Sequence, residues 1–117
     1  MKIQTIVDLL QANVLCGGER LEIEVHSACG SDMMSDVLAY VKEQAVLLTG
    51  LVNPQVIRTA MMMDMRCIVF VRGKNPSEDM IALADENSIV LLSTEERMYV
   101  ACGKLYAGGL AGEGEDE

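Results

Sequence analysis

Two short runs, Cys67-Ile68-Val69-Phe70-Val71 and Ile89-Val90-Leu91-Leu92, are continuously apolar, carry β-branched pairs and are flanked by turn-forming residues. A strand with one wet face alternates apolar and polar side chains, whereas a strand buried on both faces reads as an unbroken apolar run. Ala45-Val46-Leu47-Leu48 has the same character. Helix signals follow each run. Asn53-Pro54 pairs an N-cap residue with a proline at the first helical position, and Val56, Ile57, Ala60 and Met61 then share one face. Asn75-Pro76-Ser77-Glu78 predicts a second start, with Met80, Ile81 and Ala84 as its apolar stripe. Ser93-Thr94-Glu95-Glu96 reads as a capping box opening a third helix, lined by Met98, Ala101, Cys102, Leu105 and Tyr106. Helices are therefore expected from about Asn53, Asn75 and Ser93. Strands alternating with amphipathic helices specify an α/β domain, a three-layer α/β/α arrangement around a mainly parallel sheet of four to five strands with right-handed crossovers. An all-helical chain would leave the Ile68-Val69 and Ile89-Val90 runs unexplained.

The amino-terminal part fits the same scheme. Ile3, Ile6, Val7 and Leu10 recur at helical spacing, Val14-Leu15-Cys16 is a brief extended piece, and Gly17-Gly18 marks a turn. Leu21, Ile23 and Val25 alternate with Glu22, Glu24 and His26, predicting a strand with one wet face that continues to Ala28 or Cys29. Met34, Val37, Leu38 and Val41 give the following helix its stripe. Residues 1–110 form one domain. Residues 111–117 are an acidic, glycine-rich tail, with Glu113, Glu115, Asp116 and Glu117, expected to be disordered.

Charge and composition exclude several functions. Nine Lys and Arg stand against 18 Asp and Glu, a net charge of −9, the opposite of what a phosphate backbone rewards. No apolar stretch reaches the roughly 18 residues of a membrane span, and the amphipathic helix pattern starts at Ile3 without a secretory signal, so a cytoplasmic protein is expected. The four cysteines, Cys16, Cys29, Cys67 and Cys102, form no Cys-x-x-Cys pair and read as reduced structural thiols. His26, the one histidine, occupies a wet strand position without a partner signature for a general base. No metal site, cofactor or catalytic constellation is expected, and no dinucleotide or Walker-type phosphate loop is present. Asp32 and Asp36 share a helix face that suits either a divalent ion or the helix dipole, the dipole being favoured.

Ligands of parallel α/β sheets sit at the carboxyl ends of the strands, beside helix N-termini. The residues there are Ser31, Asp32, Thr49, Gly50, Asn53, Arg72, Gly73, Ser93 and Thr94, which are the candidate ligand-binding set for a small anion. Many of them are equally sensible caps and turn residues. Met61-Met62-Met63-Asp64-Met65 is apolar on more than one side, with Met61 and Met65 expected beside Ile57 and Met62 and Met63 pointing elsewhere. It reads either as core or as a dimer contact formed by Met61, Met62, Met63 and Met65.

The segments Ser31-Asp32-Met33-Met34-Ser35-Asp36-Val37-Leu38-Ala39, Leu48-Thr49-Gly50, Asn53-Pro54, and Pro76-Ser77 leading to Val90-Leu91-Leu92-Ser93-Thr94 resemble DRTGG-domain proteins over about residues 1 to 110. No Asp-Arg-Thr-Gly-Gly string is present. Val71-Arg72-Gly73 stands where relatives tend to carry Thr-Gly-Gly. The resemblance implies a bacterial, non-catalytic regulatory or ligand-sensing module, similar to the N-terminal domain of the phosphocarrier-protein serine kinase, that homodimerises and binds a small anion or adenine nucleotide. The alternative it implies is a ligand-free interaction subunit docking on a larger metabolic or hydrogenase-type redox complex.

Overall fold

A computed structural model describes residues 1–40 and 44–110. Val41 and the acidic tail at 111–117 therefore lie outside the described residues. The chain forms α1 (Ile3–Leu10), β1 (Asn13–Cys16), a 3-10 turn (Gly18–Arg20), β2 (Ser27–Gly30), α2 (Met34–Tyr40), β3 (Ala45–Thr49), α3 (Pro54–Met62), β4 (Cys67–Phe70), α4 (Glu78–Glu86), β5 (Val90–Ser93) and α5 (Met98–Ala107). The sheet has five strands in the order β1-β5-β4-β3-β2. Strands β2 to β5 are parallel, and β1 closes the β5 edge antiparallel.

The apolar runs are strands because both of their faces are covered. Ala45, Leu47, Ile68, Phe70 and Leu91 enter one core with side chains of α2, α3 and α4. Val46, Leu48, Cys67, Val69, Val90 and Leu92 enter a second core with α1 and α5. This distribution follows from handedness: stepping from β2 to β5 in one direction with right-handed crossovers places α2, α3 and α4 on a single face. The chain changes face only after β5. Neighbouring strands β4 and β5 thus send their helices to opposite sides, which opens a crevice at their carboxyl ends.

Three segments differ from the sequence expectation. Only Ser27–Gly30 of the alternating stretch joins the sheet. Residues 21–25 instead pair with the chain start, through Ile3 N–H to Ile23 O at 2.9 Å, Gln4 N–H to Leu21 O at 2.9 Å and Val25 N–H to Met1 O at 2.8 Å. Leu21, Ile23 and Val25 still turn inward, but onto the second core. Helix α4 starts two residues later than Asn75-Pro76 suggests, because Ser77 caps it, its Oγ accepting from Met80 N–H at 3.2 Å, while Pro76 is buried ahead of the cap. Ser93 caps nothing and ends β5 opposite Phe70. Arg72 N–H to Glu96 O at 2.8 Å and Gly73 N–H to Thr94 O at 2.9 Å hold residues 94–96 against the β4 exit, so α5 begins only at Met98.

Candidate functional site

Four of the sequence-predicted residues converge at the carboxyl ends of β2, β3 and β4. Asp32 follows β2 and accepts from Gly50 N–H at 2.7 Å and Thr49 Oγ1–H at 3.1 Å, both through Oδ1. Its other oxygen lies 3.6 Å from Arg72 Nη2, with both side chains about half exposed (50% for Asp32, 46% for Arg72). Thr49 Oγ1 also accepts from Leu51 N–H at 3.1 Å, so the buried hydroxyl is fully engaged. The guanidinium passes directly over Gly50, where any Cβ would meet Nη2. The carboxylate of Asp32 thus lies beside the Arg72 guanidinium above the strand ends.

The remaining candidates have local duties. Ser31 Oγ closes a turn by accepting from Met33 N–H at 2.9 Å. Asn53 Oδ1 caps α3 through Gln55 N–H at 2.8 Å. Ser93 is buried at the end of β5. Thr94 Oγ1 donates to Leu10 O at 2.8 Å and accepts from Glu96 N–H at 3.2 Å, tying the β5 exit to the end of α1. Arg72 and Gly73 both adopt left-handed backbone, φ 60° and 68°. Successive left-handed or turn residues often aim amides at an anion, but these two amides donate to Glu96 and Thr94 carbonyls and are taken up. Gly73 is favoured there by its positive φ, and the movable end of the exposed Glu95 side chain lies where a Cβ would stand.

Sequence reasoning missed the other half of this end of the sheet. Where α3 and α4 are closed by Asn53 and Ser77, α5 starts at Arg97 without a side-chain cap. Its first turn borders an open depression of about 660 Å³ lined by Arg72, Glu95, Arg97, Met98 and Tyr99. Arg97 has no ion-pair partner among the described residues. Glu96 points away from the depression and pairs with Lys104. Arg72, Arg97 and the uncapped start of α5 border one hollow, an arrangement that favours negative charge, and Glu95 opposes it.

The methionine run splits. Met61 (41% exposed) and Met62 (73%) lie on the surface, Met63 packs partly against the first core and Met65 is buried in it. Met61 therefore does not share the buried face with Met65. Helix α3 ends at Met62, and a left-handed Asp64 turns the chain so that Met65 N–H reaches Ala60 O at 2.8 Å. All four cysteine sulfurs are thiols. Burial pushes the Cys67 thiol well above its usual range, and burial also raises Cys16. Among the described residues no three His, Cys, Asp or Glu side chains gather to hold a metal ion, and no helix is long and apolar enough to cross a membrane.

Comparison with known proteins places this geometry. The crystal structure of the CBS and DRTGG domains from the regulatory region of Clostridium perfringens pyrophosphatase, complexed with its activator diadenosine tetraphosphate, superposes with a TM-score of 0.74 at 18% identity. The match covers 89% of this chain and 45% of that one, so the chain spans less than half of that protein's length and the likeness is one of fold. No curated protein matches. The sequence profile of the DRTGG domain matches residues 5–106, and with nearly the whole chain covered, this protein belongs to the DRTGG domain family.

Proposed function

We propose that this chain is a non-catalytic regulatory module that homodimerises and senses a small anion, with adenine nucleotides as the first class to test, at the carboxyl ends of β4 and β5. One observation carries the reading: the uncapped start of α5 opens on the depression that Arg72 and Arg97 border. Its place where adjacent strands send their helices to opposite faces is where α/β sheets hold ligands. The net charge of −9 repels anions at long range, so affinity rests on local donors. A hydrogen bond to a charged group contributes about 1.5–3 kcal/mol. Two guanidinium contacts amount to about 3–6 kcal/mol, and the opposition of Glu95 lowers that, so dissociation constants of roughly 0.1 to 10 mM are expected. The nucleotide class is suggested by the activator bound in the pyrophosphatase regulatory region, where the DRTGG domain accompanies CBS domains.

Calorimetric titration of inorganic phosphate, AMP, ATP and diadenosine tetraphosphate into the wild type, Arg72→Ala and Arg97→Ala is the test. Binding that weakens at least tenfold in both variants is the expected result. Absence of heat with every ligand, or equal affinity in the variants, removes the site and leaves the interaction-subunit reading.

A further inference from the structure

Helix α5 is apolar on both of its faces. Ala101 and Leu105 are buried in the second core, with Met98 and Cys102 packed beside them. The outer face should then be polar, as on an ordinary surface helix. It is instead formed by Tyr99 (89% exposed), Val100 (44%), Gly103, Tyr106 (63%) and Ala107. These positions span one continuous arc at 100° per residue and contain no charge. Lys104 stands at the margin of that arc, drawn aside by Glu96. Helices apolar on both sides are buried against something.

We infer that the outer face of α5 is the surface on which two copies of this chain pair, helix against helix about a two-fold axis near Gly103. This assignment rests on the homodimeric reading above and supplies its surface. The first argument is shape. A Cβ on Gly103 would meet nothing within 4 Å, so the middle of the face is an open notch. Tyr99 and Tyr106 project four residues before it and three after it. An isologous contact needs a patch that is complementary to itself. In an antiparallel pair about that axis Gly103 faces the partner's Gly103, Tyr99 comes opposite the partner's Ala107 and Tyr106 opposite the partner's Val100, so large side chains meet smaller ones while the helices approach at the glycines.

The second argument is charge. Two copies that each carry −9 repel over most of their surface. The α5 face contributes no carboxylate to a contact, and its one marginal cation, Lys104, is already paired with Glu96, so closing the face adds little like-charge repulsion. The exposed Met61 and Met62 are less suited, because Arg58, Asp64 and Arg66 are exposed around them. The acidic residues at 113–117 are chemically unsuited to cover an uncharged face. The third argument is area. An aromatic side chain offers about 150–250 Å², so the two tyrosines with Val100 and Ala107 from both copies approach the roughly 1,000 Å² at which a specific interface begins. A dimer of modest, micromolar strength is expected.

Sedimentation velocity on the full chain between about 1 and 100 µM tests this, with Tyr106→Glu, Val100→Glu and Met62→Asp alongside the wild type. Tyr106 and Val100 lie outside the depression lining, and both are exposed, so the variants should keep the wild-type circular dichroism spectrum. The expected result is a concentration-dependent dimer whose dissociation constant rises at least tenfold in Tyr106→Glu and Val100→Glu and stays within twofold in Met62→Asp. A wild type that dimerises while both α5 variants dimerise equally well overturns this surface and leaves the homodimeric reading standing. A wild type of one chain's mass throughout overturns the homodimeric reading itself.

Discussion

The guanidinium of Arg72 lies across Gly50, in the space that a side chain at that position would fill. The group displaced by a Cβ would be the far end of a half-exposed, flexible side chain, so Gly50→Ala has little to strain. Folding stability should change by less than about 0.5 kcal/mol, as for a surface substitution. Asp32 would lose the 3.6 Å contact with the displaced guanidinium, and exposed pairs of that kind contribute little. Anion binding at the strand ends is where the change should register. Calorimetric affinity for phosphate or ATP should drop by three- to tenfold while the urea midpoint holds. A lowered midpoint with intact affinity would show that Gly50 matters for packing and not for aiming Arg72.

Helices α1, α3 and α4 all end with the same device, a non-glycine residue in left-handed backbone: Gln11 at φ 49°, Asp64 at 53° and Ser88 at 59°. After α4, Ser88 N–H reaches Asp85 O at 3.2 Å and Ile89 N–H reaches Ala84 O at 2.9 Å, the paired bonds of a Schellman exit. Glycine usually occupies that position because a side chain there costs about 1–2 kcal/mol. The unfolded chain of a glycine variant gains entropy worth about 0.4–1 kcal/mol. Ser88→Gly should therefore stabilise by about 0.5 kcal/mol, and Ser88→Val should destabilise by more than 1 kcal/mol. Urea unfolding of the two variants measures both. A destabilised Ser88→Gly would mean that the serine side chain contributes something the backbone argument omits.

The parts of the fold set by local chemistry were legible, and the parts set by pairing were not. Asn53-Pro54 starts α3 as read because cap and proline act within one turn. Ser93-Thr94-Glu95-Glu96 has an equally good local pattern, yet it stays extended because Phe70 opposite and the Arg72 and Gly73 amides hold it there. Alternation over Leu21 to Val25 correctly implied an inward face but carried no information about the partner, which is the chain start and not the sheet. Asp32, Thr49, Gly50 and Arg72 could be grouped from the sequence because each ends or follows a parallel strand. Arg97 and Tyr99 were missed because the depression exists only where α5 crosses to the opposite face from α4, a property of strand order. The outer face of α5 was obscured by assigning Tyr106 to the inner stripe, whereas the structure exposes it.

Thr94 joins two elements that the sequence separates by 84 positions, its hydroxyl buried between Leu10 O and Glu96 N–H. Thr94→Val preserves shape and removes both bonds. Leaving a buried donor or acceptor without a partner costs about 1–3 kcal/mol, so a loss of roughly 2 kcal/mol is expected in denaturant unfolding, with Thr94→Ser recovering most of it. Ligand binding should be unaffected, since neither partner borders the depression. If Thr94→Val unfolds like the wild type, water satisfies these groups and the contact is not a structural tie.

The Cys67 thiol gives the protein a pH dependence with a definite sign. Cys67 is buried among Val69, Val90 and the other residues of the second core, and burial holds its pKa far above the value of a free thiol. In the unfolded chain it ionises near pH 8.5. Below that pH both states carry the proton and the thiol makes no pH-dependent contribution. As pH rises above about 8.5 the unfolded state releases its proton while the folded state keeps it, so stability falls by up to about 1.4 kcal/mol per pH unit. Half-buried Cys16 is raised in the same direction and should add a smaller decline. Cys67→Ala separates this from the titration of tyrosines and lysines, which both proteins share. At pH 7 the variant should be less stable by about 1 kcal/mol, the usual scale for a core truncation of this size. At pH 10 the gap should have closed or reversed, because about 2 kcal/mol of the wild-type advantage is gone by then. The comparison is made by urea unfolding under reducing conditions at pH 7, 9 and 10. A gap that stays constant across that range would mean that Cys67 does not keep its proton in the folded protein, and the packing around β4 would have to be looser than the structure has it.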